Sequence, residues 1–472
     1  MAYLTLQQPL YKEMPVGTDW VYSVNDSNNN QYKFKYILQI YGGSTGADYL
    51  GLFKFSPNGL GNGIIKVNEI LEQYVNSDNL GSIYPGIESA FKGIDNVAGT
   101  QCPIHCIDKV SLSTNNTRRF TLKFGSEWAS TPTVSPTQYL AQNIFELYLS
   151  FNGVAYNNEG KYLGGNYGIN LDDWNNNSYL PLSTTSKFLT DAPTTPFLSG
   201  NYGQFIGDND YATLSFLTGK FANTHPKPSK YIIQFFDNTN TFISDVTTQI
   251  TPANGGYNTA VDTTLEDAEK HLQYIGVGTA NMKGAGITIP SNWNSYSVFL
   301  ETTIAQVTYA YTYFKQGADC KGYEKIRLTW LNKYGVWDYY NFTKKNTRTT
   351  GIDRTEFNKV KGNWNGSEYV KHGYQRGRTI LNSNANQTMS LNSDWFRNDE
   401  EAAWLEQLFI SPEVYILERY NAADTAPADY GEYMIPVIIT NKSYDKYTEA
   451  NDKVAQYNLD IEYAINKRIQ RG

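Results

Sequence analysis

Histidine, cysteine and charge are all scarce in this chain of 472 residues, which holds four His, three Cys and 18% charged side chains. Cys102, Cys106 and Cys320 are too few and too unevenly spaced for a disulfide framework, which points to synthesis in a reducing cytoplasm. No run approaches the ~18 consecutive apolar residues of a membrane helix. The first twenty residues, MAYLTLQQPLYKEMPVGTDW, lack the charged and apolar regions of a secretory leader. The expectation is a chain neither exported by the general route nor set in a membrane. A formal net charge of −7 and a pI near 5.3 exclude a general nucleic-acid or anionic-membrane surface, because such partners need a basic footprint; a local basic patch stays compatible with them.

What the chain has in excess is tyrosine, 38 residues of it, beside 38 Gly and abundant Asn and Thr. Aromatic and β-branched side chains suit a pleated surface, while Asn and Gly tolerate the left-handed backbone of tight turns. The expected fold class is mainly β: β-sandwich domains followed by a small α+β C-terminal domain. DWVYSVND, YKFKYILQIYGG and YLGLFKFSPNG give strand after strand from residue 19, with RRFTLKFGSEW and IFELYLSFNGVAY as later members of one sandwich. A short helix is expected in VNEILEQYV with Asn68 as its N-cap. The expected domains are 1–180, a sandwich; 181–345, a second β-rich domain; and 346–472, an α+β domain. DTTLEDAEKHLQYIGVG is expected to hold one helix.

The familiar signatures of chemistry are missing. There is no G-x-S-x-G nucleophile elbow and no phosphate-binding G-x-x-x-x-G-K-[ST], and both GLGNG at 59–63 and GVGTA at 276–280 break the G-x-G-x-x-G spacing. Cys102, His105 and Cys106 lie within five residues, but a structural zinc needs four ligands and no second pair is near. Buried free cysteines and a surface histidine are the simpler reading. Asp172-Asp173 and Glu400-Glu401 are raw material for a glycosidase, yet solvated faces and a helix first turn explain them as well. No catalytic, cofactor or metal residue is assigned, and an enzyme is not expected.

Three stretches ask for a partner instead. In IRLTWLNKYGVWDYYNFTKK, residues 326–345, Ile326, Leu328 and Trp330 alternate with polar neighbours, Gly335 closes a tight turn, and the second arm carries apolar bulk on both faces. Tyr334, Trp337 and Tyr339 are candidate interface anchors, since Trp and Tyr dominate such sites; a core between two β layers is the alternative, and the one favoured for Trp330. Residues 160–205 combine loop-like Gly and Asn with Tyr162, Tyr167, Trp174 and Tyr179, either an arm ordered on another chain, with Trp174 as an anchor, or a loop packed on its own domain. Lys344, Lys345, Arg348, Arg354, Lys359 and Lys361 gather in one stretch that reads as a solvated linker.

The C-terminal part has the clearest grammar. QTMSLNS reads as a strand, Asn398 and Glu401 as a capping box opening a helix through EEAAWLEQLFI, SPEVYIL and YMIPVIIT as strands, and VAQYNLDIEYA as a half-exposed strand by strict alternation. In this order, from RLTWLNKYGVWDYYNF to NDKVAQYNLDIEYA, the residues resemble structural tail or neck proteins of tailed phages of Bacteroidetes, crAss-like phages included, over 326–464. The resemblance implies a virion protein acting as ring, hub or adaptor below the portal. Its expected form is a six- or twelve-fold homo-oligomer that touches other tail, neck or portal proteins while DNA passes through the lumen without specific binding. It brings no catalytic residues, cofactor or membrane contact. A tail-tip adhesin or carbohydrate-binding module is the alternative, because exposed Trp and Tyr also stack on sugar rings.

Overall fold

The computed structural model describes residues 3–11, 13–43, 48–81, 103–154, 161–168, 188–193, 204–217, 228–251, 272–301, 308, 310–317, 322–375, 377–396, 399–418, 434–444, 456–465 and 467–468. The fold is mainly β, as the composition requires. Its contacts divide it into two units, Met1–Gly317 with Leu331–Tyr339 and Arg419–Tyr430, and Ala318–Trp330 with Tyr340–Glu418 and Gly431–Gly472. That differs from the expected three consecutive domains. Val110–Leu112 pairs with Leu272–Gly276 in one sheet, so a ladder crosses the boundary expected at 180. The boundary expected at 345 is replaced by a double crossing inside one hairpin.

The first unit opens with two antiparallel-rich sheets that share a core. One runs Tyr3–Gln7, Val21–Asp26, Gly63–Lys66; the other runs Glu13–Gly17, Thr137–Val154, Thr117–Ala129, Tyr32–Gly42, Asp48–Phe55. In Val21–Asp26 alternate residues are buried, the period-two pattern of a strand with one covered face. Trp20, Tyr22 and Val24 meet Tyr36, Leu38, Ile40, Phe120, Leu122 and Phe124 in a single apolar cluster. The Trp20 indole donates to the Pro15 carbonyl at 3.0 Å, so its polar atom is satisfied in the core. Gly63 packs so closely on the Tyr36 ring that an added Cβ would lie 2.4 Å from it. The short helix is present as Asn68–Leu71, continued by a 3-10 turn over Glu72–Tyr74. Its N-cap is Val67 and makes no side-chain cap, so Asn68 is the first helical residue rather than the cap.

The same unit carries a five-stranded sheet, Gln204–Ile206, Tyr311–Lys315, Ser295–Glu301, Lys230–Phe236, Phe242–Gln249, and the three-stranded sheet Thr213–Leu217, Leu272–Gly276, Val110–Leu112. Within DTTLEDAEKHLQYIGVG, Leu272–Gly276 is a fully buried central strand, and residues 262–271, where the expected helix would fall, lie outside the described residues.

The second unit is one mixed helix-and-sheet layer pair. Its sheet runs Trp337–Phe342, Ile326–Leu331, Val414–Leu417, Met434–Ile439, Asn458–Tyr463, Arg378–Asn392, Asn346–Asn358, with Lys467–Arg468 also paired to Arg378–Asn392; of the first two strands, residues 331 and 337–339 count with the first unit. The helix Asp399–Ile410 brings Trp404 against Trp330, ring centroids 5.2 Å apart, and against Tyr340 at 6.1 Å. The alternation expected in VAQYNLDIEYA holds where Tyr457, Leu459 and Ile461 are buried, while Tyr463 is half-buried and Ala455 lies outside the described residues. The capping residue Asn398 lies outside the described residues. Among the described residues, no helix is long and apolar enough to cross a membrane.

Candidate interaction surfaces

The aromatic hairpin of 326–345 is built as its residues require. Asn332 accepts from Tyr334 N at 3.0 Å through its side chain, Gly335 N donates back to the Asn332 carbonyl at 2.9 Å, and Gly335 takes φ 74°. Only a residue without Cβ adopts that backbone cheaply. Both arms are buried, Ile326–Leu331 throughout and Trp337–Phe342 at all positions but one.

The hairpin tip is internal, which corrects the expectation that it offers interface anchors. Tyr334, Trp337 and Tyr339 are 2%, 2% and 3% exposed. The Trp337 indole donates to the Asp78 carbonyl at 2.8 Å; the Tyr339 hydroxyl bonds His105 Nδ1 at 2.8 Å and Thr213 Oγ1 at 2.7 Å; the Tyr334 hydroxyl donates to Asp191 at 2.5 Å. Buried aromatic polar atoms need partners, and here each finds one in the first unit. Asp78 organises the surroundings. Its carboxylate accepts from the backbone of Thr114 at 2.9 Å and Asn115 at 2.6 Å, and from the Tyr274 hydroxyl at 2.8 Å. Burial, with the Asp78 charge beside it, drives the Tyr274 hydroxyl well above its ordinary range, so it stays a neutral donor. Trp174 lies outside the described residues.

His105 is fully buried rather than a surface residue, because Tyr339 satisfies its Nδ1 and the Trp337 ring meets it edge-on at 5.0 Å. Cys106 is a buried free thiol, and Cys102 and Cys320 lie outside the described residues. Among the described residues, no three His, Cys, Asp or Glu side chains gather as a metal site. Among the described residues, Asp108 is the carboxyl most altered by its environment: burial pushes it up to about 7, against a smaller opposing pull from Lys109.

The segment 160–205 is tied to its own unit wherever it is described. Lys161–Leu163 pairs with Asn166–Gly168, Leu10 N donates to the Tyr167 carbonyl at 2.9 Å, and Phe188, Leu189 and Ala192 are buried. Tyr162 alone of its described aromatics is openly exposed.

The stretch expected as a linker is instead a strand. Asn346–Asn358 pairs with Arg378–Asn392 through thirteen register positions, from Asn346 opposite Leu391 to Asn358 opposite Arg378, with one bulge after Thr355. Its repeated threonines favour the pleat and its charges disguised it. At the root, Met389 and Leu391 are buried in the second unit, while nearly all of Asn346–Asn358 is exposed. Beyond the ribbon, Asn363–Trp364 pairs with Tyr369–Val370 around a turn in which Asn365 accepts from Ser367 N and Glu368 N at 2.9 Å. Ile352, Val360, Trp364, Tyr369 and Tyr374 are 53%, 80%, 61%, 55% and 79% exposed along this ribbon and its tip. Lys344 pairs with Asp394 at 2.9 Å and Arg348 with Glu324 at 2.8 Å, and Arg378 pairs with Glu356. Arg354, Lys359 and Lys361 show no such ion pair among the described residues.

No protein-family model matches the chain, and no curated protein does. Among solved structures, a chain from the virion of a native gene transfer agent particle aligns with 33% of this chain and all of its own length, at 13% identity and a TM-score of 0.17. A chain from the tail of an empty gene transfer agent particle, computed with six-fold symmetry, aligns with 27% of this chain and 81% of its own, at 13% identity and a TM-score of 0.15. An α-2-macroglobulin mutant from Salmonella spans all of this chain with 34% of its own, at 9% identity and a TM-score of 0.15. Likeness at these scores transfers neither a fold nor a role.

Proposed function

We propose that this protein is a structural component of a tailed-phage virion, a homo-oligomeric ring of the neck or tail that surrounds the DNA passage and links neighbouring components. One observation carries the reading. Among the described residues, Tyr334, Trp337, Tyr339, His105 and Cys106, which looked able to do chemistry or bind partners, are consumed by internal packing, whereas a long two-stranded ribbon with large apolar side chains stays open. An isolated two-stranded ribbon is marginal in water, so this one is built to be covered by another chain. The order of features over 326–464 supports the same reading. On it, the protein has no catalytic role, resides in the virion, forms a six- or twelve-fold ring and lets DNA pass without specific contacts. Electron microscopy of the particle and of the purified protein tests this: closed rings are expected, and a protein that is monomeric in its native particle overturns it.

A second reading rests on a separate feature. Trp364, Tyr369 and Tyr374 lie exposed at the ribbon tip, a set suited to stacking on sugar rings in a tail-tip adhesin. Saturable binding to host surface glycans, lost in Trp364→Ala, would favour it over the ring.

A further inference from the structure

We propose that the ribbon is the connector between copies of this chain, a basic arm that docks on the acidic remainder of a second copy. This rests on the assembly reading above and names its contact. Residues 344–378 hold nine Lys and Arg against three Asp and Glu, a net of +6; the whole chain is −7, so the rest of it carries −13. A second copy therefore presents the opposite charge to every exposed arm. Like ribbons repel one another, so an arm-to-arm pairing is disfavoured and the contact is arm to body. Such a heterologous contact repeats from copy to copy and closes as a ring when the rotation allows.

The register shows how the arm meets that surface. Arg348, Ile352 and Arg354 share one face with Met389 and Leu391, and that face is buried at the root and open beyond it. It continues the apolar face of the sheet outward, edged with cations. The opposite face, with Thr347, Thr349, Asp353 and Thr355, is neutral to acidic. Past the Asp460 and Glu462 strand and a short pairing at Asn384 and Ala385, no third strand joins the ribbon among the described residues. The nine residues from 350 to 358, beyond that root, at ~3.3 Å each make a ribbon about 30 Å long and roughly 10 Å wide, so each face offers about 300 Å². A stable interface takes ~800 Å² from each partner, which both faces approach together with the exposed tip that carries Trp364, Tyr369 and Tyr374. The arm is therefore enclosed in the contact. Its cations Arg354, Lys359 and Lys361, which have no ion pair among the described residues, steer it to the acidic body, and Ile352, Phe357 and Trp364 provide the desolvated area.

Two measurements on the full chain test this. In the first, ¹⁵N-labelled and unlabelled protein are mixed, assembled and treated with a zero-length carbodiimide. Heavy-to-light cross-links from Lys359 or Lys361 to Asp or Glu outside 344–378 are expected; links confined to single copies, or leading to a different virion protein when particles are treated, overturn the proposal. In the second, Arg354→Glu, Lys359→Glu and Lys361→Glu are combined. These exposed changes leave the far-ultraviolet circular dichroism unaltered, while the concentration for half-assembly rises at least ~tenfold and its salt dependence falls. An unaltered midpoint sinks the arm while leaving a wild-type ring standing. Wild-type protein that never assembles, alone or in particles, sinks the ring reading itself. A loss confined to DNA affinity, with assembly unchanged, also overturns the proposal and makes the ribbon a phosphate contact.

Discussion

Tyr339 shows how a side chain that looks like a partner's anchor becomes an internal one: its hydroxyl holds His105 and Thr213 together, at 2.8 and 2.7 Å, inside the first unit. Tyr339→Phe leaves buried polar groups short of a partner and should cost ~1 to 3 kcal/mol. Trp337→Ala, which also removes a large buried ring, should cost ~3 to 5 kcal/mol. Trp364→Ala, on the exposed tip, should change stability by less than ~0.5 kcal/mol. Urea unfolding of the three variants separates core from surface, and equal costs would contradict the placement. Asp108 makes a pH prediction. Its folded pKa, raised to about 7 from 3.8, means the protonated form favours the fold. That stabilisation is complete below about pH 4 and is lost as pH rises through 7, an effect on the order of a few kcal/mol. Thermal melts should therefore fall over that window in the wild type, and Asp108→Asn should flatten the fall and raise the melting temperature at pH 8.

Among the elements, the aromatic hairpin and the ribbon exchanged the roles expected of them. The hairpin carries apolar bulk on both faces because its parts serve two cores. Trp330 and Tyr340 pack with Trp404 in the second unit, and Trp337 and Tyr339 bond within the first. Its turn is specified by Asn332 and by Gly335 at φ 74°. Gly335→Ala forces a side chain into the left-handed region and should lower stability by ~1 kcal/mol or more, read as a shifted urea midpoint with an unchanged slope. The hairpin and the final strand were legible because alternation marks a strand with distinct faces. The ribbon was not, because charged and threonine-rich residues on a strand exposed on both sides leave no hydrophobic period to find.

At the scale of the molecule, the ring reading predicts lateral contacts burying more than ~1,000 Å² for each pair of neighbours. A reconstruction of the particle measures that area directly, and a contact well below it would remove the ring. Residues 160–205 are expected to matter less for assembly than the ribbon, since their described parts pack on their own unit through Leu10, Phe188 and Leu189. Deleting 162–167 should therefore leave the oligomer intact by light scattering, whereas an assembly defect would restore that segment as a second connector.

The sequence by itself determined the mainly β class, the tight turn at Gly335, the short helix near Asn68 and the covered face of the final strand, because each depends on neighbours a few residues apart. Tertiary structure decided which aromatic groups are core and which are surface. Trp337 and Trp364 have the same local chemistry, and what separates them is a carbonyl 259 residues away in the chain, at Asp78, that one of them reaches and the other does not. It also decided the division into units, since Val110–Leu112 and Leu272–Gly276 pair across a separation that no local pattern encodes. Burial is a property of long-range pairing, and a single sequence records the preference of each residue for an environment without recording which distant segment supplies it.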